Sequence, residues 1–135
     1  MTIQTPYTFG TRIGGSPADV RPRVESALRA EGFGVLTEID VAATMKAKLG
    51  IDRPPYLILG ACNPPLAHRV LEIDPSVGAL LPCNVVLRAD GDGTVVEAMD
   101  PAAAMAIGGD AAIAEVAAEV RGRLVRVIAA LETEG

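Results

Sequence analysis

The sequence predicts an α+β fold: an antiparallel or mixed β-sheet, backed by helices on one face and carrying a long C-terminal helix. Three observations lead there. Strand-like and helix-like segments follow one another in the order β-α-β-α-β-α-β-β-α. Asp90-Gly91-Asp92-Gly93, set between two apolar runs, marks a hairpin, so at least one pairing is antiparallel and a purely parallel doubly wound sheet is disfavoured. Ile113, Val116, Ala117, Val120, Leu124, Val127, Ile128 and Leu131 fall within about 60° either side of one line on a helical wheel. They describe an amphipathic helix roughly 30 Å long, enough to cross a small sheet.

Each element has a local cause. Tyr7 to Ile13 reads as a strand with Tyr7 and Phe9 on one face, broken by Gly14-Gly15. Ser16-Pro17-Ala18-Asp19 starts a helix: Ser16 caps, Pro17 takes the first turn and Asp19 returns a bond to the cap. Val20, Val24, Ala27 and Leu28 form its stripe, and Gly32 ends it. Phe33 to Ile39 is a second strand. Asp40 then caps a short helix whose apolar face is Val41, Met45 and Leu49, with Lys46 and Lys48 in its last turn and Gly50 as its stop. Residues 51–55 form a loop. Tyr56 to Ala61 is a continuous apolar run, expected of a central strand buried on both faces. Asn63 and Pro64 open a third helix, with Leu66, Ala67, Val70 and Leu71 as its buried side, and Asp74-Pro75-Ser76 closes it. Cys83 to Ala89 and Thr94 to Met99 are the hairpin strands. The Ala-rich stretch 100–109 is a loop or short helix, and Asp110 caps the last helix.

Composition bounds the function classes. The 135 residues form a single domain, with 50% hydrophobic and 21% charged residues, which excludes a disordered chain. Aromatics are only 3%, so the core is built from Ala, Val, Leu and Ile. A net charge of −5 and a pI near 4.8 argue against a nucleic-acid partner, which needs a basic face. No apolar run approaches the roughly 20 residues of a membrane span, and no signal peptide opens the chain, so the expected location is cytoplasmic and no membrane partner is expected. Two cysteines are too few for a secreted disulfide scaffold and are expected as thiols.

One polar cluster stands out: Cys62-Asn63-Pro64-Pro65 at a strand-to-helix junction, and Pro82-Cys83-Asn84 at the start of the next strand. Antiparallel neighbours would bring the two Cys-Asn pairs to one end of the sheet. His68, one turn into the intervening helix, is a candidate for the same end. A thiol beside a helix N-terminus gains acidity, and the two Asn amides offer donors to a carbonyl or anion. Two Cys and one His are also three soft ligands, but without paired C-x-x-C spacing, and no metal site is assigned. The competing bland reading makes the cysteines small core residues and Asn63 an ordinary cap. Gly10 to Gly15 lacks the spacing of a phosphate loop, Asp90 to Gly93 lacks the later ligands of a calcium loop, and neither G-x-S-x-G nor H-E-x-x-H occurs.

Four stretches together resemble a widespread prokaryotic family, the domain of unknown function 302. They are Gly32 to Val35, Asp40 to Met45, Tyr56 to Pro64 with its G-A-C-N-P piece, and Leu80 to Val86 with its L-P-C-N piece. The resemblance runs from about Phe9 to Val127. It implies an antiparallel sheet backed by helices, similar to the TATA-binding-protein-like class, and a homodimer. It places the family's recurring Cys-Asn pairs at Cys62, Asn63, Cys83 and Asn84, and it supplies no activity. Three function classes stay open. One is a dimeric small-ligand-binding or stress-associated module with Cys62, Asn63, His68, Cys83 and Asn84 as binding residues. A second is a thiol-dependent enzyme or redox sensor, and the third a purely structural interaction domain. Catalytic residues and any cofactor stay unassigned.

Overall fold

The computed structural model describes residues 2–134. Six strands form one sheet: β1 Thr2–Gln4, β2 Thr8–Gly14, β3 Gly34–Asp40, β4 Tyr56–Cys62, β5 Cys83–Asp90 and β6 Gly93–Met99. Their order is β1-β2-β6-β5-β4-β3 and every neighbouring pair is antiparallel. The helices are α1 Pro17–Ala30, α2 Val41–Leu49, α3 Pro64–Ile73, α4 Pro101–Met105 and α5 Ala111–Glu134. Short 3-10 turns occupy Pro75–Leu80 and Ala106–Gly108. This is the α+β architecture the sequence predicts, long C-terminal helix included.

Capping fixes the helix starts as the residue types require. Ser16 Oγ accepts from the Asp19 N–H at 3.1 Å while Asp19 accepts from the Ser16 N–H at 3.4 Å, closing the capping box. Asp40 accepts from the Ala43 N–H at 2.9 Å, and Asp110 from the N–H groups of Ala112 and Ile113. The hairpin turn at Asp90 to Gly93 is tied down by Arg12, whose guanidinium donates to Asp90 at 3.1 Å and to Asp92 at 2.8 Å.

The core lies between one sheet face and helices α1, α3 and α5. Phe9 and Ile13 of β2, Leu59 and Ala61 of β4, Val85 and Leu87 of β5, and Val96 and Ala98 of β6 face it. From α5 it receives Ile113, Val116, Val120, Leu124, Val127 and Leu131, the stripe read from the sequence. No helix among the described residues is long and apolar enough to cross a membrane.

Several elements differ from the sequence reading. Strand β1 goes unpredicted, because three residues are too short to show a period. Register alone makes it a strand, with Thr2 opposite Thr11 and Gln4 opposite Phe9. Tyr7 precedes β2 and is exposed, so only Phe9 joins the core. Leu71 turns outward from α3 while Leu66 and Val70 are buried. Residues 100–109 resolve into α4 and a 3-10 turn, with Asp100 capping the helix at the Ala102 N–H, 2.9 Å. The largest difference is α2, which has no buried residue, and Leu49 is 63% exposed. Its stripe has the helical period, but α2 lies in the excursion between β3 and β4 and packs chiefly against those two strands, which leaves Val41 and Met45 half-buried and Leu49 exposed. Strand β4, read as buried on both faces, is covered on one: Leu59 and Ala61 are buried and Ile58 is half-buried.

Candidate functional site

The two Cys-Asn pairs do meet at one end of the sheet. β4 ends at Cys62, Asn63 caps α3, β5 begins at Cys83, and Ala61 is the register partner of Cys83. Strand pleating then divides them. Ala61 and Cys83 face the helices, and Cys83 is 5% exposed in the core. Asn84, next along β5 and opposite Gly60, alternates to the uncovered face and is exposed. His68 is 73% exposed on α3 and lies 3.8 Å from Glu72, an ordinary one-turn surface pair.

Cys62, Asn63 and Cys83 therefore remain together, and they line a cavity with Ala61, Leu66, Ala67, Val70, Leu81, Pro82, Met105, Val116 and Val120. Its walls come from the ends of β4 and β5, from α3, from the end of α4 and from the first half of α5. The cavity volume is about 20 Å³, room for about one water-sized body, and its lining is almost wholly apolar.

Burial governs the thiols. It pushes Cys83 up to about 11, with the neighbouring Cys62 adding to the shift, and it raises Cys62 as well. Both groups are protonated at neutral pH and are poorer nucleophiles than a free cysteine. Among the described residues, no three or more His, Cys, Asp and Glu side chains converge where a metal ion would sit.

Asn63 is a structural node. Its Oδ1 accepts from the Leu66 N–H at 3.4 Å, capping α3, and its Nδ2 donates to the Glu31 carbonyl at 3.5 Å. Arg123 of α5 donates to the same carbonyl at 3.0 Å, and Arg126 pairs with the Glu31 carboxylate at 2.9 Å. The C-terminus of α1, the N-terminus of α3 and the middle of α5 are pinned at one point beside the cavity.

The model of the family described as "Domain of unknown function DUF302" matches residues 9–131. The chain belongs to the DUF302 family. A solved structure described as an uncharacterized conserved protein DUF302 from Bacillus stearothermophilus is 32% identical, covering 92% of this chain and 95% of that one, with a TM-score of 0.83. No curated protein matches the chain. For this DUF302 chain the likeness shows family and fold.

Some cavity residues were legible in the sequence and some were not. Leu66, Val70, Val116 and Val120 belong to apolar helix stripes, so their inward direction follows from period. Met105 and the Glu31-Arg123 contact carry no such signal. They arrive from segments about 40 and 90 residues away from Cys62 and Glu31 respectively, which only the packing of α4 and α5 brings close.

Proposed function

We propose that this DUF302 chain is a single-domain cytoplasmic binding module, working as a homodimer, that takes a small apolar group at the cavity lined by Cys62, Asn63 and Cys83. One observation carries the reading: a cavity with an almost wholly apolar lining lies beside Cys62, Asn63 and Cys83. Concave, mostly apolar sites with few polar groups are what small ligands occupy. In this reading the protonated thiols are soft, polarizable walls rather than reagents, the Asn63 amide is held by its own caps, and His68 and Asn84 lie outside the site. The small cavity suits one terminal group, such as a methyl or thioether, rather than a whole cofactor.

Native mass spectrometry of untagged protein under reducing conditions tests this. The expected result is a mass in excess of a whole number of 13.9 kDa chains, lost on denaturation and absent from Ala67→Leu, which fills the cavity. A clean mass in both proteins, at the cellular concentrations of protein and metabolites from which it was purified, overturns the reading.

A further inference from the structure

We infer that the chain carries a second binding site, at the opposite end of β4 from the cysteines, which takes a small zwitterion of the amino-acid type. β4 runs from Tyr56 to Cys62, and Asp40, the last residue of β3, is the register partner of Leu57 near its start. A cavity of about 240 Å³ opens there. Its apolar walls include Pro17 of α1, Ala42 and Ala43 of α2, and Leu57; Asp40, Arg53 and Tyr56 bring its polar groups. It shares no lining residue with the cysteine cavity. At roughly 30 Å³ per water it holds the volume of about eight waters. That is too much for a lone ion and less than a drug-sized molecule takes.

The two charged groups of this cavity have opposite signs, and neither is neutralised within the chain. Arg12, Arg21, Arg88, Arg121 and Arg126 each rest on a carboxylate. Arg53 rests on a ring instead, its guanidinium 5.3 Å from the centroid of Tyr56. The acid next to it in sequence, Asp52, is taken by Lys46 at 3.0 Å. Among the described residues Arg53 has no acid partner, so its N–H donors remain available to an oxyanion. One carboxylate oxygen of Asp40 accepts from the Ala43 N–H at 2.9 Å. Its other oxygen has no partner among the described residues, and no ion pair joins Asp40 to Arg53.

These charges select the ligand. A bare carboxylate or phosphate satisfies Arg53 but sets a like charge beside Asp40; a bare amine does the reverse beside Arg53. A molecule that carries a carboxylate and an ammonium together answers both with charge-assisted hydrogen bonds, the stronger kind of polar contact. The alanine, proline and leucine walls then receive a short aliphatic side chain.

Amide chemical-shift titration of the labelled full chain tests this, with glycine, L-alanine, L-valine and L-leucine as probes. The expected result is saturable shifts at Ala18, Ala42 and Leu57 with at least one of the four. The tightest of them should bind at least about tenfold better than its analogue lacking the amine and its analogue lacking the carboxylate. Arg53→Ala should weaken that binding about tenfold or more. Asp40→Asn, which keeps a capping oxygen for α2, should weaken it similarly, with circular dichroism confirming both folds. No saturable shift with any of the four overturns the site. A single-charge analogue that binds as tightly, or an affinity that either variant leaves unchanged, overturns the zwitterion.

Discussion

Gly32 has φ +87°, and a Cβ built there would sit 2.9 Å from Asn63 Nδ2 and 3.4 Å from the Arg123 guanidinium. A side chain at this residue meets both backbone strain and the node that joins α1, α3 and α5. Gly32→Ala is therefore expected to cost about 1–3 kcal/mol, seen as a lower urea midpoint with unchanged slope. An unchanged midpoint would show the node to be slack. Asn63→Ala removes the α3 cap and the tether to Glu31, for about 1–2 kcal/mol. Asn63→Asp keeps an acceptor for the cap but loses the donor to the Glu31 carbonyl, so it should fall between alanine and the native residue. If aspartate matches alanine in denaturant melts, the cap contributes nothing separable.

At the scale of elements, α2 and α3 make an instructive pair. Both open on a capping side chain and both carry an apolar stripe. Leu66 of α3 enters the core and lines the cavity, whereas Leu49 of α2 stands in solvent. Leu66→Ala is expected to destabilise by about 2–5 kcal/mol, and Leu49→Ala to stay within about 0.5 kcal/mol. Thermal unfolding of the two variants checks this, and comparable losses in both would mean that α2 is buried in solution. Sequence periodicity reports that a helix has an apolar side. Whether another layer lies against that side depends on where the chain re-enters the sheet. Residues 41–55 connect the antiparallel neighbours β3 and β4, so α2 lies in a connection between adjacent strands rather than in a crossover over the sheet.

For the whole molecule, the buried thiol links stability to pH. Cys83 is raised from the usual 9.0 to about 11 in the fold. Below pH 9 both folded and unfolded chains hold the proton and the group is neutral to stability. Between about pH 9 and 11 the unfolded chain releases the proton and the folded chain does not, so stability falls as pH rises. The loss approaches about 2–3 kcal/mol by pH 11. Denaturant melts at pH 8 and pH 10.5 should show a steeper fall for the native protein than for Cys83→Ala, which lacks the titrating group. Parallel falls would mean that Cys83 is solvated. The same burial should make Cys83 slower to alkylate at neutral pH than a free cysteine.

The helix starts at Ser16, Asp40, Asn63 and Asp110, the hairpin at Asp90 to Gly93, the α5 stripe and the family resemblance are all legible in the residues alone. All of these are written in short-range patterns: a capping oxygen three residues from its donor, a glycine pair in a turn, a period of 3.6. The sequence also placed the two Cys-Asn pairs at one sheet end on the condition that β4 and β5 are antiparallel neighbours, a condition the strand order meets. Which side of the sheet each side chain takes follows from the packed fold. A pleat of period two sends Cys83 inward and Asn84 outward, and helix rotation leaves His68 in water. The closure of the cavity by Met105 and the joining of Glu31 to Arg123 were likewise decided by packing. Such contacts join residues far apart in the chain, whose proximity is set by burial of the whole core and by no local preference of the residues concerned.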